Sequence, residues 1–144
     1  MSRHSVLIAT AAALTVTLAA VPALAQPAPA NLPAPYNTGD LALGKKQFVK
    51  CKSCHTINKG GMQMTGPNLY GMFGRKAGTV AGYKYSDAMK AWGKPWDGKT
   101  LDAYLADPKG YIPKNKMGFV GLKKPDDRKH LIAYLMVETG YKGK

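Results

Sequence analysis

The pattern of apolar and polar positions divides the chain into three stretches. Residues 6–20 form an apolar run without a charge, preceded by Arg3 and His4 and followed by Pro22 and the small-x-small triplet Ala23-Leu24-Ala25. The run is shorter than the roughly 20 residues that a membrane span needs. It predicts an export signal over residues 1–25, cleaved near Ala25/Gln26; the competing reading is an uncleaved anchor. Residues 26–36 are rich in proline and alanine and predict a disordered or extended lead-in. Residues 37–144 show short helical patterns separated by loops and predict one small domain.

Within that domain, Leu41, Gly44 and Phe48 fall at helical spacing, with Asn37 or Thr38 as candidate cap. A glycine inside a helix costs about 1 kcal/mol against alanine, so Gly44 predicts a close approach by another element. Ser86 caps a short helix over residues 87–91. A further helix is expected over residues 98–106, with Asp97 as cap, Leu101, Tyr104 and Leu105 inward, and Asp107-Pro108 as the stop. The last helix starts at Pro125-Asp126-Asp127, with acids against the positive end of its dipole, and runs to Gly140. Tyr134 on this helix is expected to cross Gly44 and Phe48. Residues 56–84 hold seven glycines and no helical pattern. A loop of that length in a small domain is either functional or disordered, and wrapping a flat cofactor is one way to order it.

The chemistry lies where the first helix ends. Cys51-Lys52-Ser53-Cys54-His55 is a C-x-x-C-H sequence and holds both cysteines of the chain. Two thiols three residues apart share one side of a helical turn, so both can add to the vinyl groups of one porphyrin while the histidine reaches its iron. A disulfide here would close a small strained loop. A zinc site lacks ligands, since only His4 and His130 lie outside the pentapeptide. A thioredoxin-like pair lacks a preceding strand. A ligating histidine needs a partner for its second ring nitrogen; Pro67 in Gly66-Pro67-Asn68-Leu69 offers a carbonyl, although a simple turn is the alternative. Among the methionines, Met89 and Met136 lie in helices as core filler, and Met62, Met64 and Met72 follow close on His55. Met117 lies 62 residues beyond His55 in an irregular bend, the best candidate for a second axial ligand.

Charge then narrows the partners. The 21 Lys and Arg against 8 Asp and Glu give a net charge of +13. With no recognisable nucleic-acid module, the excess predicts transient, salt-sensitive docking to an acidic protein surface rather than to nucleic acid.

Taken together, these features make residues 39–140 resemble a class I cytochrome c, of the short mono-haem kind exported to the bacterial periplasm. Gly44 and Phe48 are similar to that family's first-helix glycine and aromatic pair. Cys51, Cys54 and His55 match its attachment site, Pro67 its carbonyl acceptor, and Met117, in Pro113-x-x-Lys116-Met117-x-Phe119, its second iron ligand. Arg75, Tyr85 and Trp96 resemble the family's haem-propionate partners, and Tyr104 its tyrosine beside the methionine sulfur. Two positions depart. The family often has Asn where Met89 stands, helping to hold an internal water. It often has Thr where Asn115 stands, bonding a propionate.

The resemblance implies an all-α fold of four to five helices and long loops around one covalent haem c. It implies a monomeric periplasmic electron carrier, not an enzyme, without stable membrane insertion once the signal is removed. Electrons would pass between a membrane quinol–cytochrome c oxidoreductase and a terminal oxidase or photosynthetic reaction centre. Lys46, Lys50, Lys109, Lys116, Lys123 and Lys124 would meet the partners' acidic patches. The other readings are an enzyme such as a peroxidase, distinguished by an open iron that binds carbon monoxide, and a haem-free binding module, distinguished by its lack of visible colour.

Overall fold

A computed structural model describes residues 25–143. The expected export signal lies, except for Ala25, outside the described residues. The helices are α1 (Leu41–Phe48), α2 (Asp87–Trp92), α3 (Gly98–Ala106), α4 (Pro108–Tyr111) and α5 (Pro125–Glu138). Among the described residues there is no strand, only the isolated bridges Pro27 to Asp40, Phe73 to Trp96 and Lys76 to Pro95. The fold class is all-α, as the sequence implies. Among the described residues, no helix is long and apolar enough to cross a membrane.

α5 is the centre of the packing. Leu131 to Met136 are six consecutive buried residues, so the helix is covered on every side rather than along one stripe. α1 covers one side. A side chain at Gly44 would run into α5 at the His130 carbonyl and Tyr134, and the rings of Phe48 and Tyr134 stand 5.8 Å apart. This is the close approach that the mid-helix glycine predicts. The cap of α1 is Asp40, whose Oδ1 accepts from the N–H groups of Ala42 and Leu43. Thr38 does not cap α1: it lies in a 3-10 turn (Tyr36–Thr38) with its hydroxyl donating to the Pro35 carbonyl at 2.8 Å.

The lead-in is corrected by the structure. Residues 26–36 are neither disordered nor free of the domain: Ala28, Leu32 and Tyr36 are buried. Ala28 N–H donates to Gly39 O at 2.8 Å, and Leu41 N–H to Gln26 O at 2.6 Å. Gly39 lies against Ala133 of α5, and the Tyr36 ring covers Gly98 at the start of α3. Three apolar side chains at four-residue spacing anchor a segment whose composition reads as unstructured.

α3 is closed by a reciprocal cap. Asp97 Oδ1 accepts from the Thr100 N–H, and Thr100 Oγ1 accepts from the Asp97 N–H at 2.9 Å. Asp107-Pro108 stops α3 and at once begins α4, because Asp107 Oδ1 caps Gly110 N–H at 3.2 Å and proline is at home in a first helical turn. Arg128 ties these parts together. Its Nε donates to Asp102 Oδ1 at 2.8 Å, and its Nη1 to the carbonyls of Leu122 and Lys123 at 2.7 and 3.0 Å. The guanidinium thus joins α5, α3 and the stretch of chain that leaves Met117.

Candidate haem site

α1 ends at Phe48, and the chain continues as tight turns through the cysteine pair. The N–H groups of Cys54 and His55 both donate to Cys51 O at 3.0 Å. That one carbonyl holds Cys51, Cys54 and His55 on a single turn. Both thiols are free and partly buried. Burial pushes the Cys51 thiol up to about 11, opposed by Lys50, with a further upward push from Cys54.

His55 Nδ1 lies 2.7 Å from Pro67 O. A carbonyl only accepts, so Nδ1 carries the proton and Nε2 is left with its lone pair free for a metal. Burial lowers the His55 pKa, opposed by the bond to Pro67, and so favours the neutral, ligating form. Gly66 lies flat against the imidazole: a Cβ there would come within 2.7 Å of both ring nitrogens.

The glycine-rich loop is ordered by Asn68, which in the sequence stands out only as part of the Gly66-Pro67-Asn68-Leu69 match. Its Nδ2 donates to Thr56 Oγ1 at 2.6 Å and to Asn58 O at 3.0 Å; its Oδ1 accepts from Tyr70 N–H at 2.9 Å. Gly66 N–H donates to Cys54 O at 2.8 Å, which holds the loop to the cysteine turn.

At the second candidate ligand, Tyr104 Oη donates to Met117 Sδ at 3.7 Å and lies 3.5 Å from Asn115 Oδ1. Burial raises the Tyr104 pKa, with Tyr83 adding to it, so its hydroxyl stays a donor. Trp96 stacks at 5.1 Å from Tyr104 and 4.8 Å from Trp92.

Arg75 bridges the two sides. Its guanidinium donates to Tyr70 O at 2.8 Å and Asn68 O at 3.3 Å, and its own carbonyl accepts from Trp96 N–H at 3.0 Å. Burial lowers its pKa while Tyr85 opposes the shift; burial raises that of Tyr85 while Arg75 opposes it. An open cleft of about 600 Å³ lies between Tyr85, Ser86, Ala88 and Ala91 on one wall and Lys114 and Lys116 on the other.

His55, Pro67, Asn68, Arg75, Trp96, Tyr104 and Met117 thus form one unbroken path of contacts. A nitrogen ligand with its lone pair free, a thioether, two free thiols on one turn, and a glycine cradle beside the imidazole fit a covalently tethered haem. No group of three or more His, Cys, Asp or Glu that could hold a bare metal ion occurs among the described residues. The six candidate docking lysines, Lys46, Lys50, Lys109, Lys116, Lys123 and Lys124, are all exposed. Lys109 donates to Asn115 O, Lys116 to Lys84 O and Lys123 to Ala106 O. The salt bridges among the described residues use Lys90, Arg128 and Lys129 instead.

Fold and site together define a small helical protein that carries one covalent haem. The chain belongs to the cytochrome c family, whose model, Cytochrome c, matches residues 41–137. It is 53% identical over 102 residues to cytochrome c of Nigella damascena, covering 70% of this chain and 92% of that one. It is 50% identical over 105 residues to cytochrome c of Cochliobolus lunatus (72% and 97%). It is 57% identical over 98 residues to cytochrome c of Theileria parva (67% and 84%). The chain is accordingly a class I c-type cytochrome and a haem-based electron carrier, with haem c bound through Cys51 and Cys54.

The expected bacterial periplasmic localisation is corrected by the same relatives. They are cytochromes c of plants, a green alga, a fungus and an apicomplexan, all eukaryotes, which have no periplasm. An apolar leader with a small-residue end is a weak address, and it led to the wrong compartment.

Proposed function

We propose that the chain is a dedicated one-electron carrier and not an enzyme, with His55 and Met117 as the two axial ligands. The observation that carries this reading is the pair of second contacts: Pro67 O on His55 Nδ1 and Tyr104 Oη on Met117 Sδ. Each fixes a ligand from behind, as residues that orient metal ligands do. Bound haem supplies an iron that alternates between ferrous and ferric states, and a thioether ligand favours the ferrous one. With haem bound, His55 and Met117 would both ligate the iron, which would leave no open position for substrate. Arg75, Tyr85 and Trp96 would face the propionates of a bound haem, and Tyr104 Oη donates to the methionine sulfur.

The test is ligand exclusion. The reduced unmodified protein is expected to take up carbon monoxide hardly at all. Met117→Ala is expected to bind it readily, with a midpoint potential lower by on the order of 0.1 V. Ready carbon monoxide binding by the unmodified protein would overturn the closed-iron reading.

The partners proposed are a quinol–cytochrome c oxidoreductase as donor and a terminal oxidase or photosynthetic reaction centre as acceptor. Support comes from the six exposed candidate lysines, which stand outside every salt bridge of the described residues. Surface charges steer encounter and are screened within about 10 Å at 0.1 M salt. Bimolecular electron-transfer rates with such a complex are expected to fall roughly tenfold or more between low and moderate ionic strength. Stopped-flow rates that stay flat across that range would count against steering.

A further inference from the structure

Asn115 is 3% exposed, and its amide is bonded at both donors and at its oxygen. Nδ2 donates to Pro108 O at 2.6 Å and to Ile112 O at 2.8 Å. Oδ1 accepts from Met117 N–H at 2.8 Å and faces Tyr104 Oη at 3.5 Å. An amide has two donors and two acceptor positions; both donors and one acceptor position are bonded within the segment from Pro108 to Met117, and Oδ1 also lies beside the tyrosine hydroxyl that meets the sulfur. The main chain of Asn115 adds two more ties: its N–H donates to Ile112 O at 3.2 Å, and its carbonyl accepts from Lys109 Nζ at 2.6 Å.

The bend it holds is not relaxed. Lys114 has φ +64°, the one non-glycine positive φ among the described residues, a conformation that side-chain-bearing residues avoid. Such a bend persists only where its surroundings over-determine it. A threonine hydroxyl at this position has one donor and could not make the same set of bonds.

We propose that Asn115 is a positioning residue that fixes the Met117 thioether at its ligand position by closing the 108–117 segment on itself. This replaces the propionate contact that a threonine would make there. The inference rests on Met117 as axial ligand and adds how this chain holds it.

The experiment follows two signals in urea: the weak far-red absorption band of methionine-ligated ferric haem, and far-ultraviolet circular dichroism of the helices. The variants are Asn115→Ala and Asn115→Asp, with Ile132→Val, a change in the buried centre of α5, as a control for general destabilisation. In both Asn115 variants the band is expected to disappear at clearly lower urea than the helical signal. The folded population lacking the band should rise tenfold or more in Asn115→Ala. In Ile132→Val the two signals should shift together.

If the signals also shift together in the Asn115 variants, Asn115 is an ordinary buried amide and the proposal is overturned. If Asn115→Ala does not fold, Asn115→Asp decides by the same criterion, since it keeps the acceptor toward Met117 N–H and loses both donors. Absence of the band from the unmodified holoprotein would overturn Met117 ligation itself and this proposal with it. With the band present there, early loss of it in the variants supports the positioning role and joint loss overturns that role alone.

Discussion

Gly44→Ala is expected to destabilise the domain by about 2 kcal/mol net, a fall in Tm of about 10 °C. Two effects oppose each other. Alanine in place of a mid-helix glycine gains about 1 kcal/mol of helix propensity. Its methyl group, however, would stand 2.5 Å from Tyr134 Cβ and closer still to the His130 carbonyl oxygen. Overpacking costs about 1–3 kcal/mol, and the upper end applies here because the obstructing atoms are backbone and Cβ, which no rotamer change can move. α1 must then lift off α5, carrying Phe48 away from Tyr134. Thermal unfolding of the holoprotein checks the prediction. A Tm equal to or above that of the unmodified protein would show that the helices separate at no cost.

Gly66→Ala is expected to strike the iron ligand with little effect on the helices. The added methyl would fall within 2.7 Å of Nδ1 and Nε2 of His55. The ring must turn or retreat, and the Nδ1 to Pro67 O bond of 2.7 Å breaks with it. A hydrogen bond lost from a buried group costs about 1–3 kcal/mol, and each 1.4 kcal/mol is a factor of about ten in population. Holoprotein with displaced His55 should therefore rise by roughly fivefold to a hundredfold. The low-spin absorption spectrum reports it, while the helical circular dichroism changes much less. An unchanged spectrum would mean that the loop yields instead of the imidazole.

How far the sequence revealed this molecule depends on the range of each interaction. The cysteine turn is local: Cys51, Cys54 and His55 lie within five residues, and one carbonyl organises them. Gly44 was legible for another reason, since an otherwise costly residue in a helix signals contact. The lead-in was misread because proline and alanine content masks the spacing of Ala28, Leu32 and Tyr36, whose burial depends on α3 and α5 far along the chain. The cap of α1, expected at Asn37 or Thr38, was misplaced by two to three residues, since the 3-10 turn that occupies both is a product of the same folded-back segment. The bonds of Asn115 are local, to Pro108, Ile112 and Met117, but depend on the bend around Lys114, whereas the clamp of Arg128 on Asp102 joins residues brought together only by the fold. Neither residue type at its position announces such a role. Met117 was picked out by its irregular bend far beyond His55 and Tyr104 by family resemblance, and the structure sets them 3.7 Å apart.

The imidazole takes its aim from a main-chain oxygen, that of Pro67. No codon specifies a carbonyl, so natural variation cannot delete this partner one substitution at a time; it can only disturb the contour that presents it. Drift along the exposed outer rim of the loop should therefore be cheap wherever the contour survives. Where an inner residue such as Gly66 or Asn68 sets that contour, a change should be as damaging as losing the ligand itself.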